Sequence, residues 1–217
     1  MKIEQYMTPY MRSYCYVMTE GSDAIVVDPC EMDAIKRFLQ IAGANISCCI
    51  LTHEHYDHVS GLDWMHSLSV PVIASEACNE GLASPKINQS RYYDLFCMLQ
   101  KRLADDVIPD VDEYSGYADR LFKNEMHFEW NGHDILLKET PGHSRGSICM
   151  LVDQKVLFSG DTLFADRDTN CTILGGNKKD LEEISMPWLL SLDKNLTVYP
   201  GHYDVFRLGD YVGGRKQ

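Results

Sequence analysis

The stretch Thr52-His53-Glu54-His55-Tyr56-Asp57-His58 constrains this chain more than any other. It packs three imidazoles and two carboxylates into seven residues, directly after the apolar run Ile46 to Leu51, which reads as a buried strand. An imidazole that leaves water must find a polar partner or a metal. Either this string is bathed in solvent, or the fold delivers further ligands to the same strand end.

The rest of the sequence supports the second course. His143 and His202 each close a Pro-Gly-His tripeptide, at Pro141-Gly142-His143 and Pro200-Gly201-His202. Pro-Gly forces a tight turn after a strand and aims the next ring off the sheet edge. Asp161 is placed similarly in Ser159-Gly160-Asp161, after the strand Lys155 to Phe158. Four strand ends therefore each present a metal-competent side chain, an arrangement suited to convergence on one rigid site. Imidazole and carboxylate without cysteine suit Zn²⁺, and Fe or Mn accept the same donors. The candidate ligands His53, His55, Asp57, His58, His143, Asp161 and His202 are too many for one tetrahedral ion and suit two ions sharing a bridging group. His66, His127 and His133 lie in helical or alternating patterns and read as ordinary surface or half-buried residues.

Composition narrows the classes. The chain has 217 residues, 45% of them hydrophobic, enough for one domain with a substantial core. No Pro/Ser/Gly-rich linker interrupts it, so a single domain over 1–217 with an insertion at about 78–123 is expected. The formal charge of −12, without a basic stripe, argues against nucleic acid as a partner and leaves a small-molecule substrate. Met1 to Ser13 holds no apolar stretch of signal-peptide length, and no run approaches the roughly 18 apolar residues of a membrane span. A cytoplasmic protein without a membrane partner is expected. Eight scattered cysteines without a C-x-x-C pair agree, reading mainly as small buried hydrophobes.

Periodicity gives the elements. Strands are predicted at Met1 to Tyr6, Tyr14 to Met18, Ala24 to Val27, Ile46 to Leu51 and Val70 to Ala74. A helix is predicted from Met32 to Ala42, with Ile35, Phe38, Leu39 and Ala42 on one face and Gly43 as its stop. A second helix covers Gly61 to Leu68. In the insertion, a helix is expected at Arg91 to Leu103, then an acidic stretch Asp105 to Glu113 and a tyrosine-rich piece Tyr114 to Tyr117. Regular β returns at Met126 to Trp130 and His133 to Lys138, joined by the hairpin signal Asn131-Gly132. Ser147 to Val152 and Lys155 to Phe158 form a further hairpin. After a loop from Ser159 to Asn177 come a helix over Lys179 to Ser185, restarted at Pro187, and a strand at Leu196 to Tyr199. Strands lead and a helix closes each half, which suggests two sheets with helices outside.

The run His53-Glu54-His55-Tyr56-Asp57-His58 resembles the H-x-H-x-D-H signature of the metallo-β-lactamase superfamily. Thr140-Pro141-Gly142-His143, Ser159-Gly160-Asp161-Thr162-Leu163-Phe164 and Tyr199-Pro200-Gly201-His202 resemble its later motifs in order, over about residues 14 to 203. The small glyoxalase II-like hydrolases are the most similar branch. The resemblance implies an α+β fold, a four-layer αββα sandwich, here with a helical insertion. It implies two Zn²⁺ (or Fe or Mn), one held by His53, His55 and His143, the other by Asp57, His58 and His202, with Asp161 bridging. It also implies Asp28 as an orienting partner behind the ligands.

The implied activity is hydrolysis of a small acyl compound, a thioester or other ester, with a lactone or β-lactam as variants. Asp57 would hold the attacking water and take its proton. A mono-iron persulfide dioxygenase is the rival reading, separated by metal count. Full glyoxalase II adds a C-terminal helical domain with residues for glutathione, whereas this chain stops soon after His202, so the resemblance does not carry glutathione recognition over. The loop Arg167-Asp168-Thr169-Asn170-Cys171-Thr172 replaces the branch's usual Gly-Arg-x-Asp stretch. Arg145, Cys171 and Tyr203 stand close enough in sequence to line the pocket. The insertion is read either as a lid or as an outer layer that packs or dimerises.

Overall fold

The computed structural model describes residues 1–99 and 106–211. The chain forms two compact units, one of Met1–Ala74 with Asn79–Leu121, the other of Ser75–Cys78 with Phe122 onward.

The first unit is built on six strands, β1 (Lys2–Met7), β2 (Tyr14–Glu20), β3 (Asp23–Val27), β4 (Asn45–Ile50), β5 (Val72–Ser75) and β6 (Arg120–Phe122), adjacent in that order. β1, β2 and β3 form an antiparallel meander, and β3, β4 and β5 run parallel. Parallel neighbours need a crossover, which is usually helical. Here α1 (Asp33–Ala42) joins β3 to β4, and the short α2 (Tyr56–Val59) and α3 (Leu62–Ser67) join β4 to β5. Ile35 and Leu39 of α1 are buried, and Gly43 ends the helix in the left-handed conformation, as its position predicts. The buried strand residues Val17, Ile25, Val26, Cys49 and Ile50 form the floor of this unit.

The second unit carries β7 (Glu125–Trp130), β8 (His133–Glu139), β9 (Ile148–Val152), β10 (Val156–Gly160), β11 (Thr197–Pro200) and β12 (Phe206–Arg207), again in sequence order across the sheet. All pairs are antiparallel except β10 with β11, whose crossover contains α6 (Lys178–Asp180), a π-helical turn at Leu181–Ser185 and α7 (Met186–Ser191). Asn131 and Gly132 both take positive φ, as the predicted two-residue turn requires. Leu136, Cys149, Leu151, Leu157, Leu189 and Val198 pack as one cluster.

Several elements differ from the sequence expectation. The helix expected at Arg91 to Leu103 starts as a 3₁₀ turn at Ser90–Tyr92 and continues as α5 (Tyr93–Leu99), and its expected end lies outside the described residues. The helix α4 (Glu76–Leu82) and the strands β6 and β12 were not foreseen. The strands hold three and two residues, too few to display an alternation. The stretch Asn79–Leu121, most of the expected insertion, belongs to the first unit. Tyr114 Oη donates to Asp63 at 2.9 Å, and Asn88 Nδ2 donates to the Tyr114 carbonyl at 2.8 Å. No helix among the described residues is long and apolar enough to cross a membrane.

Candidate metal centre

In the first unit the site grows from the end of β4. The backbone N–H of Leu51 bonds to the Ile73 carbonyl, and that of Asp28 to the Ile50 carbonyl, so three parallel strand ends are held level. Beyond them lies a row of buried polar groups: Asp28, Thr52, His53, Glu54, His55, Asp57 and His58. Asp28 is the anchor. Its Oδ1 accepts the Thr52 N–H at 2.7 Å, and its Oδ2 accepts Thr52 Oγ1 at 2.6 Å and faces His58 Nδ1 at 2.8 Å. Asp28 holds this position with φ at +53°, a conformation that aspartate tolerates better than most residues. Thr52 Oγ1 lies 3.1 Å from His53 Nδ1, so Asp28 orders both rings.

The rings are close-set. His53 and His58 have centroids 4.3 Å apart, and His53 and His55 meet edge to face at 4.6 Å. Asp28, His53 and His58 each bring a ligand atom within 4.8 Å of the others. Both Asp28 oxygens are already committed to Thr52 and to His58 Nδ1, which suits the orienting role that the sequence assigned to it. Asp57 is fixed from behind, its carbonyl accepting Ser13 Oγ at 2.6 Å.

In the second unit, Gly201 N–H bonds to the Gly160 carbonyl at 2.8 Å, which ties the turn after β11 to the turn after β10. That tie sets Asp161 beside His202, with Asp161 Oδ2 at 3.5 Å from His202 Nε2 and 3.6 Å from His143 Nε2. The turn before His143 depends on Gly142, whose φ is +152° and whose Cβ, were there one, would stand 2.6 Å from Leu181 Cβ. His143 Nδ1 lies 3.0 Å from the Asn170 carbonyl.

These contacts fix the chemistry of the rings. A carbonyl only accepts, so His143 Nδ1 carries hydrogen, while its Nε2 faces the Asp161 carboxylate. The same logic applies to His58, whose Nδ1 donates to Asp28 while its Nε2 faces Asp57 Oδ2 at 3.4 Å. A lone pair facing a carboxylate in a buried site is repulsive unless a cation or a second proton lies between. The donor set of imidazole nitrogens and carboxylate oxygens, with His53, His58 and His143 each held by a protein group at Nδ1, fits a divalent ion.

Each unit thus brings together its own part of the predicted ligand set: His53, His55, Asp57 and His58 in the first, His143, Asp161 and His202 in the second. The orienting contacts of Thr52, Asn170 and Ser13 were missed from the sequence. For Thr52 alone a signal existed, its position between Leu51 and His53. Of the residues proposed to line the pocket, Arg145 is exposed and Cys171 half-buried. Tyr203 lines a cavity of about 300 Å³ with Phe164, Arg167 and Pro200 that none of the predicted ligands lines, and its ring lies 3.6 Å beneath the Arg167 guanidinium.

Known proteins give the family. The model for the Metallo-beta-lactamase superfamily matches residues 9–202. An uncharacterised protein of Mycobacterium tuberculosis is 28% identical over 206 residues, 90% of this chain and 88% of that one. A probable polyketide biosynthesis zinc-dependent hydrolase of Bacillus velezensis is 29% identical over 195 residues, 88% of this chain and 72% of that one. A hydroxyacylglutathione hydrolase of Glaesserella parasuis is 28% identical over 153 residues, 70% of this chain and 51% of its own. Among solved structures, the BLEG-1 B3 metallo-beta-lactamase superposes with a TM-score of 0.77 at 24% identity, covering 96% of this chain and 95% of that one. That likeness establishes the α+β fold of two sheets with flanking helices that the sequence predicts. The chain belongs to the metallo-β-lactamase superfamily.

Proposed function

We propose that this protein hydrolyses a small acyl substrate, a thioester or other ester, at a centre of two divalent ions. His53, His55 and His143 would hold one ion, Asp57, His58 and His202 the other, and Asp161 would bridge. The observation that carries this is the position of Asp161, one of whose oxygens is faced by two imidazole nitrogens at 3.5 and 3.6 Å. A carboxylate addressed from two sides by imidazole nitrogens suits a bridging ligand. Zn²⁺ fits the donors, as do Fe and Mn.

Bound there, the ions supply Lewis acidity and make a water nucleophilic near neutral pH. The protein's own groups do the rest. Asp57, held through its backbone by Ser13, orients the attacking water by accepting its hydrogen bond and takes up its proton. Asp28 and Thr52 keep His53 and His58 in the orientation that ligation needs. The acidic surface favours a small substrate over a polyanion. The similarity to a zinc-dependent hydrolase and to a hydroxyacylglutathione hydrolase supports acyl chemistry.

The test is a panel of thioesters, lactones, β-lactams and phosphodiesters, run on Zn-, Fe- and Mn-loaded protein with metal analysis. Thioester or ester turnover at two ions per chain is expected. Asp161→Ala should reduce it by more than the roughly 100-fold typical of outer partners, with the fold retained. Unchanged turnover in that variant would sink the reading. One Fe per chain, with oxygen uptake on a persulfide, would replace it by the dioxygenase.

A further inference from the structure

His55 differs from His53, His58 and His143 in the nitrogen that a protein group meets. Thr52 meets His53 at Nδ1, Asp28 meets His58 at Nδ1, and the Asn170 carbonyl meets His143 at Nδ1. For His55 a protein group stands on the other side: the Gln89 side-chain amide, with its nitrogen Nε2 placed nearest, lies 2.9 Å from the ring's Nε2. Gln89 comes from the segment that the sequence marked only as an insertion.

The contact is built. Gln89 is buried and has φ at +68°, a left-handed conformation that a non-glycine residue adopts only where its surroundings impose it. Asn88, fully buried, imposes it. Its amide donates to the carbonyls of Leu82 at 3.1 Å and Tyr114 at 2.8 Å, and its Oδ1 accepts Ser90 N–H at 3.0 Å. Its carbonyl accepts the N–H of Tyr56, the residue after His55, at 2.8 Å. The backbone carrying Gln89 is therefore bolted to the loop carrying His55.

An imidazole that ligates through one nitrogen keeps its hydrogen on the other, and the group receiving that hydrogen sets the tautomer. We propose that Gln89 is a positioning residue of the metal centre: its Oε1 accepts from His55 Nε2–H and turns the Nδ1 lone pair toward the ion. This rests on the metal role proposed for His55. The amide oxygen and nitrogen exchange by a half-turn of the terminal torsion without change of shape, so the proposed orientation, with Oε1 in place of Nε2, is reached without moving the backbone. The competing arrangement has the amide N–H donating to Nε2, which would oppose metal binding there. The two arrangements predict opposite signs.

The experiment uses metal-stripped full-length protein and no substrate. Zn²⁺ and Co²⁺ are titrated against a chromophoric chelator, and the Co²⁺ spectrum reports the ligand field. Gln89→Met keeps the volume and removes the acceptor; it should weaken binding of one ion by about 10–100-fold and alter the Co²⁺ bands. Gln89→Glu keeps an acceptor and should bind near the wild-type level. Binding by Gln89→Met as tight as wild type, or tighter, overturns the proposal. A second readout needs no variant: in the zinc-loaded wild-type protein, long-range ¹H–¹⁵N spectra should show His55 protonated on Nε2, and protonation on Nδ1 overturns it. A wild-type protein that binds no metal defeats the proposed centre itself, whereas metal binding without thioester turnover leaves the Gln89 assignment standing.

Discussion

At the scale of single residues, the decisive feature is how many groups depend on Asp28. Removing its carboxylate strips partners from the Thr52 N–H, the Thr52 hydroxyl and His58 Nδ1, all buried. Each buried group left unsatisfied costs about 1–3 kcal/mol. Asp28→Ala should therefore lower the urea midpoint of the metal-free protein by several kcal/mol equivalent and weaken metal affinity by about 10–100-fold. A midpoint unchanged in urea would show that these groups find water instead. Gly142 makes the second residue-scale prediction. A side chain there meets Leu181 at 2.6 Å and demands a φ that favours glycine. Gly142→Ala should cost about 1–3 kcal/mol in thermal unfolding and weaken binding of a divalent ion at the proposed centre, because His143 is the next residue. The Pro-Gly-His signal was legible in the sequence, whereas the obstacle, Leu181, comes from a helical segment 39 positions on and could not be.

At the scale of elements, short-range patterns formed as their chemistry dictates. The β7–β8 turn is the Asn131-Gly132 hairpin, and the β9–β10 turn has Asp153 and Gln154 both at positive φ. Asp153 also reaches across to the neighbouring strand, accepting the Asp134 N–H at 3.0 Å and facing His133 Nδ1 at 2.7 Å. The hydrogen bond from His133 holds the Asp153 carboxyl below the usual carboxylate range. A depressed folded-state value means stability that is present above the ordinary carboxylate pKa of about 3.9 and lost as pH falls through the folded value. Asp153→Asn should lower the melting temperature by about 2 °C at pH 7, with the gap closing in strong acid. A gap that persists in acid would assign the effect to shape, not charge. The expected helix of the insertion begins in a 3₁₀ turn because Asn88 and Gln89 are committed to the histidine loop, a long-range demand that no local periodicity reveals.

At the scale of the whole molecule, the cysteines follow burial and not redox pairing. All eight are free; seven are buried and Cys171 is half-buried. Burial pushes the Cys48 thiol up to about 11 and the Cys149 thiol up to about 12, and raises the Cys171 thiol as well. A thiol reacts as its thiolate, so elevated values and occlusion both slow attack. Titration with a disulfide reagent at neutral pH should find at most Cys171 reactive in the native protein and all eight after denaturation. Rapid reaction of three or more native thiols would contradict this packing.

The sequence by itself determined the types of the candidate donor groups, their order and their placement at strand ends. It did so because each lies in a local motif, H-x-H-x-D-H, Pro-Gly-His or Ser-Gly-Asp, whose turn chemistry is readable within a few residues. It also determined the long strands, the hairpin turns and the α1 stop, where periodicity or a glycine suffices. Tertiary structure alone decided which nitrogen of each imidazole is held: Thr52, Asp28, Gln89 and Asn170 reach their rings across sequence distances from one to 34 residues. It also decided the short strands β6 and β12, whose existence depends on a neighbour's open edge. The reason is common to both. A hydrogen bond between distant residues leaves no period in the sequence, and it becomes visible only when folding has brought its two ends together.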